Sequence, residues 1–282
     1  DAGMSPGVAI TYAMNEIMDR GVGQIAQTLD ELALRDDTIL MFTSDNGPAF
    51  NLRPDQVPEG MDTNTLRYNC GFNGQKGSVY EGGIRVPMIM NWPGGLAGGR
   101  RVDDLVHATD WLPTLANVCG VERPGGRPLD GCDALPILRG SGGEAPARFW
   151  QLNAQQPVGW INAAMRAGPW KLVRPRLAEK PQSDADQRLM DRYVEMDIRY
   201  KYHPDEVTTL MDDPDPQLIT PPPIAPELYN IEDDPEEKNN LAESEPERTS
   251  HMLGALQDWF DGVEAERRRI QPDGSIVELA NE

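Results

Sequence analysis

Apolar residues Ile10, Ala13, Ile17, Val22, Ile25, Leu29 and Leu32 recur mostly at three- and four-residue steps, which predicts an amphipathic helix. The next apolar run, Thr38 to Ser44, is continuous instead of alternating. That pattern predicts a strand covered on both faces, as in a mainly parallel sheet, and Val86 to Met90 reads the same way. Between the two runs, residues 48–75 are rich in Pro, Asn, Asp, Arg and Gly and have no period, so they are expected to form a long loop above the strand ends. Thr109 or Asp110 is placed to cap a short helix stopping at Gly120.

The pattern changes after Arg148. Short β-type runs at Phe149 to Leu152, Trp160 to Arg166 and Trp170 to Val173 predict a small antiparallel sheet. The expected division is therefore residues 1–148, part of an α/β unit, and residues 149–282, a subdomain with that sheet and a terminal helix. The Pro-rich stretch from Asp212 to Pro226 reads as an extended connection. For the last helix, Ser244 and Glu247 suggest a capping box and Pro246 falls in the first turn. Met252, Leu253, Leu256, Trp259, Phe260 and Val263 form its apolar face, with Arg267, Arg268 and Arg269 near its end.

Composition narrows the function. With 282 residues and 39% hydrophobic content the chain can bury a core, and no run approaches the roughly 20 apolar residues that span a bilayer. Of the net charge of -20, residues 181–282 carry -17, which disfavours nucleic acid and anionic membranes as partners. Cys70, Cys119 and Cys132 include no CxxC pair, which argues against a zinc site and allows at most one disulfide.

Two blocks carry candidate chemistry. The first apolar strand ends in Asp45-Asn46-Gly47, a carboxylate and an amide of the kind a hard divalent cation takes as oxygen ligands, at the point where α/β enzymes place their chemistry. Taken alone the triplet reads as a turn. Downstream, Lys76 sits among Gly74, Gly77, Gly82 and Gly83, where backbone can approach a ligand closely and an ammonium can meet a sulfate or phosphate oxygen.

These blocks resemble the type I, formylglycine-dependent sulfatases of the alkaline-phosphatase-like superfamily. The matching segments are Thr38 to Gly47, Lys76 to Pro87, Asp110 to Leu115, Leu129-Asp130-Gly131, Arg166 to Val173, and Glu227 to Pro235 with Asn240-Leu241-Ala242. They occur in the family's order over nearly the whole chain and look like its C-terminal half. The resemblance implies an α/β fold, calcium ligated by Asp45 and Asn46, sulfate bound by Lys76, and a sulfated small molecule or glycan as substrate. It leaves His107, Arg53, Arg67 and Asn73 as candidate substrate contacts, with a structural role the stronger reading for His107. Glu81 and Arg85 are read as a buried ion pair or turn support. Such proteins are often exported, which points to a periplasmic or secreted parent.

One element of the family is not found at the cysteines. The formylglycine nucleophile arises from the first residue of a Cys-or-Ser, x, Pro, x, Arg motif. Cys70, Cys119 and Cys132 are followed by Gly71, Gly120 and Asp133 without the proline two places on, and no serine is expected to open the motif either. The nucleophile and the remaining metal ligands are therefore expected in an N-terminal half outside this chain. The competing expectations are a phosphonate or phosphodiester hydrolase of the same superfamily, and a non-catalytic binding module or pseudoenzyme.

Overall fold

The computed structural model describes residues 4–50, 68–122, 128–141, 145–153, 156–208 and 213–270. Helix α1 (Pro6–Glu31) starts where Ser5 accepts a hydrogen bond from the Val8 amide, with Pro6 preset for the first turn. It leads to β1 (Leu40–Thr43), the short α2 (Glu81–Ile84) and β2 (Met88–Asn91). Strands β1 and β2 pair antiparallel, Leu40 opposite Asn91 and Thr43 opposite Met88. Two sequence expectations are corrected here. The two runs do not pair in parallel, and neither strand contains a buried residue, with Ile89 64% exposed. The α1 stripe is likewise open, since only Gly7 and Val8 of that helix are buried.

Helix α3 (Trp111–Val118) is preceded by a 3-10 turn, Ala108–Asp110, whose cap lies two residues before the earlier of the two expected. His107 is its cap, and Asp110 folds back to accept the His107 amide at 2.8 Å. Helix α3 stops as expected at Gly120, whose φ of +62° suits a residue without a Cβ. The one-turn α4 (Leu135–Leu138) follows.

The core lies around a four-stranded antiparallel sheet ordered β3 (Arg148–Gln151), β4 (Ala163–Ala167), β5 (Trp170–Arg174) and β8 (Glu227–Asn230). Because side chains alternate across a strand, this sheet has two packed faces. On one face Ala163, Met165, Leu172 and Leu228 meet Met252 and Leu256 of α6 (Pro246–Arg267). On the other, Ala164, Val173 and Tyr229 meet Val79 and Ile231. Each fully buried leucine here is worth about 1.5–3 kcal/mol. Ser244 and Glu247 do not form the expected capping box. Ser244 lies inside the preceding turn, where its hydroxyl donates to the Leu241 carbonyl at 3.0 Å, and Glu245 occupies the cap position without a side-chain bond to the helix amides.

Between β6 (Lys180–Pro181) and β7 (Leu218–Ile219), which pair with each other, stands α5 (Asp184–Tyr202). The apolar period gave no sign of this helix, and it has no buried residue. Polar signals start it and line it. Ser183 caps through the Asp186 amide, and Gln187–Asp191 and Asp197–Lys201 pair one turn apart. Among the described residues no helix is long and apolar enough to cross a membrane.

Candidate active site

The tip of β1 is tied to the glycine-rich segment through the main chain. Gly47 donates its amide to the Gly83 carbonyl at 2.8 Å, and Lys76 donates its amide to the Pro48 carbonyl at 2.9 Å. A Cβ on Gly47 would overlap the Gly82 carbonyl, so the backbones meet here because no side chain intervenes. The Phe50 amide adds a bond to the Gln75 side chain at 3.0 Å. Segments 44–50 and 73–83, far apart in sequence, are thus brought together.

On this frame Asp45 is exposed and Asn46 half-buried. Asp45 Oδ1 accepts the Asn46 amide at 3.0 Å, and the Asn46 side-chain NH2 donates to the Gly47 carbonyl at 2.8 Å. That last bond turns the Asn46 amide so that its carbonyl oxygen is the free end, which suits a hard cation. The two residues fit a calcium site as two of its six to eight oxygen donors. No group of three or more His, Cys, Asp or Glu side chains suited to a metal occurs among the described residues.

Lys76 is exposed, and among the described residues no ion pair engages its ammonium. It occupies a turn closed by the Ser78 amide on the Gln75 carbonyl at 3.0 Å. Asn73 is exposed nearby, and its carbonyl accepts the Gly82 amide. Arg53 and Arg67 lie outside the described residues. His107 is half-buried, with Nδ1 2.9 Å from the Thr109 hydroxyl and its ring edge-on to Trp150 at 5.1 Å. Burial, reinforced by the Arg148 charge, lowers its pKa.

Behind the frame lies a buried charge cluster. Glu81, 2% exposed, opens the Glu-Gly-Gly turn, and its amide donates to Glu237 Oε2 at 2.7 Å. The Lys171 ammonium lies 2.8 Å from both Glu81 Oε1 and Glu237 Oε1, while Arg85 reaches Glu81 at 3.4 Å. Burial pushes the Glu237 pKa up, and the Lys171 charge opposes that rise. The expected Glu81–Arg85 pair is therefore present. Sequence reasoning missed Lys171, which falls inside the quoted Arg166 to Val173 segment, and Glu237, which falls between the quoted Glu227 to Pro235 and Asn240 to Ala242 segments. A second buried pair, Asp110 to Arg148 at 2.5 Å, explains the Asp110 motif as a staple. The same carboxylate accepts the Cys132 amide at 2.9 Å, and Thr114 accepts that of Ala134 at 2.8 Å. Cys70, Cys119 and Cys132 are free thiols.

The expectation that no serine opens the nucleophile motif is corrected. Ser244-Glu245-Pro246-Glu247-Arg248 spells its serine form. Its setting, however, is the start of α6. Arg248 stacks over Trp170 at 4.1 Å on the sheet face that packs α6, whereas Val79 and the Lys76 turn lie against the other face. The pentapeptide serves the helix start and is separated from the candidate site by the sheet.

The architecture is a mixed α/β, alkaline-phosphatase-like fold. A solved structure, Ps i-CgsB in complex with k-i-k-neocarrahexaose, shares it with a TM-score of 0.58 at 23% identity, covering 86% of this chain and 40% of that one. Residues 9–121 match the family model described as Sulfatase, and residues 72–173 match that of N-sulphoglucosamine sulphohydrolase, C-terminal. Together the two matches support the sulfatase family for this chain. It is 40% identical over 152 residues to steryl-sulfatase of Mus musculus, covering 53% of this chain and 24% of the relative. It is 28% identical over 241 residues to N-acetylgalactosamine-6-O-sulfatase of Bacteroides thetaiotaomicron, covering 85% and 40%. The chain thus spans less than half the length of these relatives.

Proposed function

We propose that this chain is the C-terminal part of a sulfuric ester hydrolase and contributes the Asp45, Asn46 and Lys76 side of its active site. The observation that carries the reading is the main-chain lacing of the β1 tip to the Lys76 segment, which sets two oxygen donors and an ammonium with no ion pair among the described residues on one preformed frame. A calcium ion held there would polarise sulfate oxygens. Asp45 supplies charge to the ion, Asn46 presents a neutral carbonyl, and Lys76 binds a sulfate oxygen and neutralises charge as it develops on the departing ester oxygen. A formylglycine and the further metal ligands are assigned to a segment outside this chain, since Ser244 lies on the wrong side of the sheet. The named relatives favour a sulfate ester over a phosphonate, and the carrageenan-oligosaccharide complex together with the amino-sugar sulfatase favour a sulfated glycan.

The test is hydrolysis by the parent protein, matured with a formylglycine-generating enzyme, against sulfated glycans, aryl sulfates and phosphonate monoesters. Lys76→Ala should lower kcat by about 100- to 1000-fold, the usual effect of removing one charge-stabilising donor. Asp45→Ala should abolish calcium-dependent thermal stabilisation. Faster turnover of phosphonates than of sulfates would defeat the proposal.

A further inference from the structure

Asn162 is an outlier that no motif accounts for. Its φ of +48° places a residue with a side chain in the left-handed region, which Asn enters more readily than most, and it is 2% exposed. All its polar groups are engaged. Nδ2 donates to the Gly77 carbonyl at 3.0 Å and to the Leu152 carbonyl at 2.9 Å, and Oδ1 accepts the Val79 amide at 3.3 Å. Its own amide donates to the Pro175 carbonyl, and its carbonyl accepts the Leu152 amide, both at 3.1 Å.

We infer that Asn162 is a positioning residue for Lys76, an assignment that rests on the sulfate-binding reading of that lysine. The Lys76 turn is held at two ends. Upstream the Lys76 amide is bound to Pro48 at the β1 tip, and downstream Gly77 and Val79 are bound by one side chain from the bend that leads into β4 of the antiparallel sheet. Gly77 has a φ of +87°, so the turn has a backbone that most residues resist, and the bond to its carbonyl fixes the point at which it leaves Lys76. Only a primary amide can donate to two carbonyls and accept from an amide at once. A carboxylate would face the Gly77 and Leu152 carbonyls with its own charge, and alanine would take this partner from the buried Val79 amide and from the part-buried Gly77 and Leu152 carbonyls. Through Asn162 the C-terminal sheet sets the reach of the Lys76 ammonium without touching the ligand.

The experiment compares wild type, Asn162→Gly, Asn162→Asp and Lys76→Ala by amide hydrogen exchange and by NMR titration with inorganic sulfate. Glycine keeps the left-handed backbone and removes only the side chain. Asn162→Gly should speed exchange at Val79 by about tenfold, the size of one lost hydrogen bond, while β4 and β5 amides stay protected. In Asn162→Asp, Val79 protection should rise as pH falls and the carboxyl gains a proton. Unchanged Val79 exchange in Asn162→Gly would overturn the positioning assignment, and so would loss of protection throughout β4 and β5. The sulfate arm separates the two claims. Wild type should show sulfate-induced shifts at Gly77 that Lys76→Ala and Asn162→Gly both lose. Shifts retained in Asn162→Gly despite a loosened turn would overturn the assignment. Shifts equal in wild type and Lys76→Ala would defeat the sulfate reading of Lys76 itself, with the hold on the turn still decided by exchange.

Discussion

The Lys171 ammonium lies 2.8 Å from Oε1 of Glu81, with both side chains shut off from water. Ninety residues separate the partners in sequence. One belongs to the Glu-Gly-Gly turn behind the candidate site and the other to the central strand β5, so this contact fastens the site's frame to the C-terminal sheet. Glu237, 2.8 Å from the same ammonium, brings in the segment after β8. Two segments that the family resemblance treats as separate motifs thus meet at one point, joined there by the stretch after β8.

Lys171→Met should therefore be severe. It leaves two carboxylates buried without their shared cation, and breaking a buried pair from one side costs about 3–5 kcal/mol. Urea unfolding measures the loss. A triple variant that also carries Glu81→Gln and Glu237→Gln should recover much of it, because the stranded charges are gone. A single variant within about 1 kcal/mol of wild type would show that the cluster is not what fastens the frame.

Acid should act through His107. Its pKa is lowered from the ordinary 6.5 by burial and by the Arg148 charge. In the window between the lowered folded value and 6.5, the unfolded chain binds more protons than the folded one, so stability rises with pH there. The contribution is fully present above about 6.5 and is lost on acidification through the window. His107→Asn keeps a capping acceptor and cannot titrate. Its Tm should fall less than that of wild type between pH 7.5 and pH 5, and parallel Tm curves would refute the assignment.

What could be read from the sequence was local. The strands near residues 40 and 88, the β-runs after Arg148 and the terminal helix all announce themselves within a dozen residues, and so did the turn at Asp45-Asn46-Gly47. Relations across the chain were not legible. Asn162 reaches Gly77 over 85 positions, and Glu81 reaches Glu237 over 156, and no spacing rule connects such partners. Helix α5 escaped because tertiary burial does not shape it. Its starting signal, Ser183 followed by Asp186, was there to be read. The strand reading erred in assuming that continuous apolar character means full cover on both faces, since none of Leu40 to Thr43 is fully buried and Thr43 is exposed.

Two glycine-to-alanine changes should move in opposite directions. At Gly47 a methyl group would overlap the Gly82 carbonyl, a backbone atom that cannot swing aside. Overpacking of this kind costs about 1–3 kcal/mol. At Gly21, in the middle of α1, nothing lies within 4 Å of the added methyl, and alanine should stabilise by about 0.5–1 kcal/mol. Thermal unfolding of the pair gives the sign directly. Equal effects would mean that the close approach at Gly47 is not maintained in solution.

The isolated chain should also self-associate through α1. Met14 is 63% exposed, Ile17 61% and Ile25 53%, all on a helix whose periodic apolar positions would ordinarily face a core. An apolar stripe of this extent on a water-facing helix favours contact with another apolar surface. Sedimentation equilibrium should give a mass above the 31.2 kDa of one chain. Met14→Glu with Ile17→Lys should return it to that mass, and because neither side chain is buried, the unfolding midpoint should hardly move. Association that persists unchanged in the double variant would place the contact on a different surface.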